Sequence, residues 1–278
     1  MSFKKLAAAA VALLAIVNLI QADDATVLAQ ENSIIMRIQA KIDAHKTAES
    51  DFKPELADLD GLIAAQDRGN TNVLAGLLYK KAEFYLVALK DTDKSEKLYR
   101  EVSENYPTYR LAGVAANMAG QIRLDIEKRH IQEALKPGTA FPDFSVTGMD
   151  GKSLSVSNYA GKIVLVDMWA TWCPRCLIEL PSIIKLYQAD HAQGLEIIGV
   201  TLDKTEDRPK LDAFLKKNSD MKWPEYFDGL YWDNHLAVKY GVTETPWNAL
   251  IDRDGKIIGI NLHDDELKDA ISKALKTK

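Results

Sequence analysis

The stretch DMWATWCPRCLIELP, residues 167–181, holds both cysteines of a 278-residue chain, Cys173 and Cys176. Just before it, residues 163–170 (IVLVDMWA) are apolar except for Asp167. A short apolar run of this kind predicts a buried strand, and the residues from Pro174 onward predict a helix. The pair then sits where a strand ends and a helix begins. Cys173 falls at the helix N-terminus, where unpaired backbone N–H groups favour a thiolate. It is expected to be exposed and to attack, with Cys176 one turn further in, against the core, to resolve. Pro174 suits the first helical position, where no N–H is needed. Arg175 either adds positive charge beside the thiol or simply faces solvent, and Pro181 predicts a kink in the helix.

What the pair is for follows by exclusion. Two cysteines this close close a tiny loop and constrain the unfolded chain little, so a structural staple is a poor reading. Structural zinc wants four ligands, and no second pair exists. The five histidines, His45, His130, His191, His235 and His263, are scattered without metal spacing and read as solvated surface residues. No metal and no cofactor is expected, and a redox pair remains. Asp167, an acid among apolar neighbours, should have its pKa raised by desolvation. It is placed to take the proton of Cys176, directly or through a water. The competing reading is a strand-end acid turned to solvent. Glu179, on the turn after Cys176, either tunes the same thiol or is a solvated helix-face residue.

Working outward, residues 195–203 (LEIIGVTLD) read as a second buried strand, and 208–219 (RPKLDAFLKKNS) and 235–242 (HLAVKYGV) as helices. Residues 247–262 (WNALIDRDGKIIGINL) read as two strands around the turn signal Asp254-Gly255. The last helix, 264–276, carries acids in its first turn and lysines in its last, as its dipole favours. Strands joined through helices imply parallel pairing at the centre of the sheet, and the hairpin adds antiparallel edge strands. The fold class is α/β, a central mixed sheet flanked by helices over residues 138–278.

Residues 23–135 read as an all-helical domain, broken at Lys53-Pro54, Arg68-Gly69-Asn70, Lys90-Asp91 and Tyr106-Pro107. SEKLYREVSENYP, 95–107, resembles the second helix of a tetratricopeptide unit. No second copy follows at the expected period, so a plain helical bundle has the greater weight. LKPGTAFPDF, 135–144, marks a linker or domain entry. At the start, MSFKK with Lys4 and Lys5, an apolar stretch and QADD have the order of an export signal spanning 1–22, cleaved after Ala22 or after Ala29. The stretch is short for a bilayer span, which takes about 20 apolar residues. The chain is then periplasmic or otherwise extracytoplasmic, and meets a membrane only through that signal if it is retained. A formal charge of −5, with 35 Lys and Arg against 40 Asp and Glu, argues against a nucleic-acid partner.

WATWCPRCLIELP, with the lead-in 141–173, GVTLD and TPWNALIDRDGKI in the same order, resembles the TlpA/ResA-like exported thiol–disulfide oxidoreductases of the AhpC/TSA–Redoxin superfamily. That resemblance implies a thioredoxin-like fold for 138–278, and disulfide exchange with protein disulfides and thiols as the activity. A membrane thiol-reductant donor would supply electrons. It implies Cys173 as nucleophile, Cys176 as resolving thiol, Trp172 as the ring covering the site, Asp167 as the buried acid and Glu179 as the glutamate after the motif. It makes Thr245-Pro246 a cis bond facing the disulfide, with the Thr245 backbone free to pair with a substrate strand. Pro174, Arg175, Trp172, Thr245 and Pro246 would together meet the substrate. The departures are Arg175, where the family usually has proline, and Trp247 after the cis-proline. A thiol peroxidase of the same fold is the alternative enzyme, but its cysteine needs a hydroxyl three residues upstream, where this chain has Ala170 and carries its threonine at 171. A redox-linked binding protein acting through the helical domain is the third reading.

Overall fold

The computed structural model describes residues 25–67 and 69–277, so the stretch 1–22, expected to be an export signal, lies outside the described residues. The chain divides into two compact units, Met1–Ile126 and Glu127–Lys278.

The first unit is built of helices α1 (Ala25–Asp43), α2 (Lys53–Ala64), α3 (Thr71–Phe84), α4 (Thr92–Asn105) and the start of α5 (Ala112–Ala134). The expected breaks have local causes. Pro54 starts α2, where its missing N–H costs nothing. After α3 a π-helical turn, Tyr85–Leu89, ends at Lys90, whose φ of 54° is left-handed. Asp91 then caps α4 by accepting from the Lys94 N–H at 3.0 Å. Tyr79 and Tyr99 meet edge to face, with centroids 5.1 Å apart, among Leu78, Val102, Ala115 and Ile122. Ala29, the second cleavage candidate, lies inside α1. Among the described residues no helix is long and apolar enough to cross a membrane.

In the second unit a short hairpin, β1 (Val146–Thr147) with β2 (Ser153–Leu154), precedes a five-stranded sheet. Its strands are β3 (Ile163–Trp169), β4 (Leu195–Thr201), β5 (Glu225–Tyr226), β6 (Trp247–Ile251) and β7 (Ile257–Ile260), in the order β5-β4-β3-β6-β7. Helices α6 (Pro174–Asp190), α7 (Arg208–Lys217), α8 (His235–Lys239) and α9 (Asp264–Lys276) connect and flank them. β3 pairs parallel with β4 and antiparallel with β6. The two hairpin strands were expected at an edge, and only β7 is there. β6 lies inside the sheet because its apolar residues Ala249, Leu250 and Ile251 are fully buried and need cover on both faces.

Every residue of β3 is buried. Val164, Val166 and Met168 pack into one core, while Ile163 and Leu165 face another with Leu180 and Ile183 of α6 and Leu267 and Ile271 of α9. Each such side chain contributes about 1.5–3 kcal/mol on burial. Alternation along the strand puts Asp167 on the α6/α9 face with Ile163 and Leu165. The stretch after Leu135 is anchored: Gly138 N–H donates to Ile257 O at 2.7 Å and Phe141 N–H to Gly255 O at 2.9 Å.

Candidate active site

Cys173 and Cys176 are joined by a disulfide, with Cα atoms 5.3 Å apart. Cys173 is the N-cap of α6: its sulfur accepts from the Cys176 N–H at 3.2 Å, and Pro174 begins the helix. The helix continues through Pro181 to Asp190, so no break follows that residue.

The expected asymmetry of exposure is absent. Cys173 is 3% exposed and Cys176 5%, so both residues are buried. The loop before Cys173 is folded inward and pinned. Asp203, fully buried just after β4, accepts from the Thr171 N–H at 3.0 Å, the Thr171 hydroxyl at 2.6 Å and the Thr201 hydroxyl at 2.5 Å. The Trp172 indole donates to Leu202 O at 3.3 Å, and its ring lies 5.1 Å from Tyr231 and 5.8 Å from Trp232. What reaches solvent beside the disulfide is Pro174 and Arg175.

Behind the sulfurs, Asp167, Trp169, Cys176, Glu179, Leu180, Ile183 and Pro246 line a cavity of about 10 Å³, roughly the space one water needs. Thr245-Pro246 is a cis bond, and this cavity brings Pro246 to the same space as Cys176. Burial pushes the Asp167 carboxyl up to about 7, and the nearby Glu179 charge pushes the same way. Asp167 is not turned to solvent. Glu179 is not solvated either: its side chain is only 10% exposed and lies between Arg175 Nε at 2.9 Å and His263 Nδ1 at 3.1 Å. Arg175 therefore spends its charge on Glu179. His263 corrects the expectation for the histidines. It is half-buried, because Asn248 of β6 holds the neighbouring Leu262 by its N–H (3.0 Å) and carbonyl (2.7 Å), and so brings His263 against α6.

From the sequence His263 reads as a solvated surface residue, and Asp203, Tyr231, Trp232 and Glu225 are not singled out. Three carried a local signal: Tyr231 and Trp232 are an aromatic pair in LYWD, and Asp203 closes the stretch GVTLD. Glu225 reaches the site only through strand pairing, and His263 only through the grip of Asn248 on Leu262, neither of which a short motif displays.

A disulfide at the start of a helix, with a buried acid lining the small cavity behind it, has the chemical parts that thiol–disulfide exchange uses. The chain is a thiol–disulfide oxidoreductase with a thioredoxin-like domain. The Redoxin family model matches residues 136–276, and the chain belongs to that family. It is 32% identical over 145 residues to the thiol-disulfide oxidoreductase ResA of Bacillus thuringiensis subsp. konkukian, covering 52% of this chain and 80% of that protein. To ResA of Bacillus subtilis it is 28% identical over 129 residues, covering 46% and 69%. The thioredoxin domain of a thiol-disulfide oxidoreductase from Bacteroides vulgatus superposes with a TM-score of 0.45 at 28% identity, over 51% of this chain and 99% of that one.

Proposed function

We propose that the protein is exported and reduces protein disulfides outside the cytoplasm through its Cys-Pro-Arg-Cys site, recharged by a membrane thiol-reductant donor. The observation that carries the site assignment is the Cys173 sulfur accepting the helix-capping N–H of Cys176. A sulfur in that place is stabilised as a thiolate, the form that attacks. Cys173 attacks the substrate disulfide to give a mixed disulfide. Cys176 then attacks Cys173 and releases the second substrate sulfur. Asp167, across the small cavity, takes the Cys176 proton. Glu179 tunes the same space, Pro174 and Arg175 meet the substrate, the Trp172 ring borders it, and Thr245 offers its backbone beside Pro246. The reductant direction rests on the TlpA/ResA resemblance, the export on residues 1–22. The Thr171 hydroxyl, already donated to Asp203, gives the peroxidase reading no support.

The test is the equilibrium potential of the pair in the purified protein against dithiothreitol or glutathione buffers. A value below about −220 mV supports the reductase, and one near −120 mV makes the protein an oxidant. Cys176→Ser should trap substrate proteins as mixed disulfides on Cys173, and trapping by Cys176 in Cys173→Ser instead would reverse the roles.

A further inference from the structure

Asp167 has a companion on its own sheet face. In-register partners run Glu225, Gly199, Asp167, Asn248 across β5, β4, β3 and β6. Neighbouring strands lie about 4.8 Å apart, and residues in register project to the same face. Gly199 has no side chain, and the Glu225 carboxyl takes the space: a Cβ on Gly199 would collide with both of its oxygens. That carboxyl therefore lies over β4, beside the strand that carries Asp167. One oxygen accepts the Trp169 indole N–H at 3.0 Å and the other the Trp223 indole N–H at 2.9 Å. Trp169 also walls the cavity shared by Asp167 and Cys176.

The geometry points to Glu225 as a second acid of the redox site, a positioning residue whose charge sets the strength of Asp167 as a base. The inference rests on Asp167 being the proton acceptor for Cys176. In the resolving step the Cys176 sulfur bonds to the Cys173 sulfur and the bond from Cys173 to the substrate sulfur breaks. The substrate sulfur leaves with the bonding pair as a thiolate, to be protonated by water, and the Cys176 proton passes to the Asp167 carboxylate. A negative Glu225 makes that carboxylate a stronger base, and a neutral Glu225 a weaker one.

Burial raises Glu225 to about 8, the two indole donors oppose this, and the charges of Asp167 and Asp203 raise it further. Electrostatic coupling is reciprocal, so a charged Glu225 acts back on Asp167. The other charges facing Asp167 come from α6 and from the residue before α9: Glu179, itself held by Arg175 and His263. β6 presents the neutral Asn248.

The experiment is the pH dependence, between about pH 5 and pH 9, of thiol–disulfide exchange by the reduced full chain with glutathione disulfide. Two carboxyl ionisations are expected beside that of the thiol. Glu225→Gln should remove the upper one, leaving the rate near pH 6 unchanged and that near pH 9 roughly tenfold lower. Trp223→Phe, a milder change that deletes one donor to the carboxylate, should move the upper ionisation to higher pH and leave the lower one in place. In an Asp167→Asn background Glu225→Gln should change nothing further. A Glu225→Gln or Trp223→Phe profile superimposed on the wild type overturns the inference. So does a Glu225→Gln effect that persists without Asp167. If Asp167→Asn alone leaves the profile untouched, the reading of Asp167 itself falls, a result distinct from the first two.

Discussion

Replacing Asp167 by asparagine should stabilise the protein, and the gain should grow with pH. The carboxyl titrates at its ordinary 3.8 in the unfolded chain and at about 7 in the folded one. Below the lower value both states are protonated and nothing is lost. Between the two, the folded chain keeps a proton that the unfolded chain has released, so stability falls as pH rises through that window and levels off above it. The gap is about three pH units at about 1.4 kcal/mol each, so the buried carboxyl costs about 4 kcal/mol once it is charged. Asparagine keeps the shape and has no proton to lose. Its own hydrogen-bonding gain or loss does not vary with pH, so the slope is the measurement. Urea unfolding followed by tryptophan fluorescence should give a variant-minus-wild-type difference that climbs by about 4 kcal/mol between about pH 4 and pH 8. A flat difference across that window would refute the argument from burial.

Gly199→Ala should cost about 2–3 kcal/mol in the same denaturation assay, because its Cβ meets a carboxyl held between two indoles. Asp203→Ala leaves the Thr171 N–H and two buried hydroxyls without their acceptor, so a loss of about 3 kcal/mol or more is expected. Trp172 emission should shift red in that variant as the loop loosens. In the helical unit, Lys80 pairs at 2.9 Å with the buried Glu83, whose pKa burial already raises. Lys80→Met should destabilise by about 3–5 kcal/mol at alkaline pH. The loss should shrink as pH falls and Glu83 takes up a proton, which a pH series of melting temperatures would reveal.

The strand before Cys173, the helix start at Pro174, the hairpin around Asp254-Gly255 and the helix 264–276 were legible because each is a local pattern of burial or capping. Asp167 was legible for a related reason: an acid in an apolar run is conspicuous. The short strand β5 was not, since two residues carry no periodicity. Neither was the burial of Cys173, which depends on Asp203 and on the aromatic rings of residues 231–232 arriving from elsewhere in the chain. Glu179 read as a helix-face residue with two fates, and only the approach of His263 decided between them. That approach is set by Asn248 gripping Leu262, a contact between β6 and the turn that follows β7.

The row from Glu225 to Asn248 lets the backbone ladder act as a ruler. Strand spacing sets how far the second carboxyl stands from the first, whatever rotamers its neighbours adopt. The edge strand β5 bears no cysteine and contacts no sulfur through its pairing with β4. Substitution there is thus a remote adjustment screw for the thiol chemistry. A lineage could retune the acidity behind the disulfide at residue 225 or 199 while Cys-Pro-Arg-Cys stays letter for letter the same.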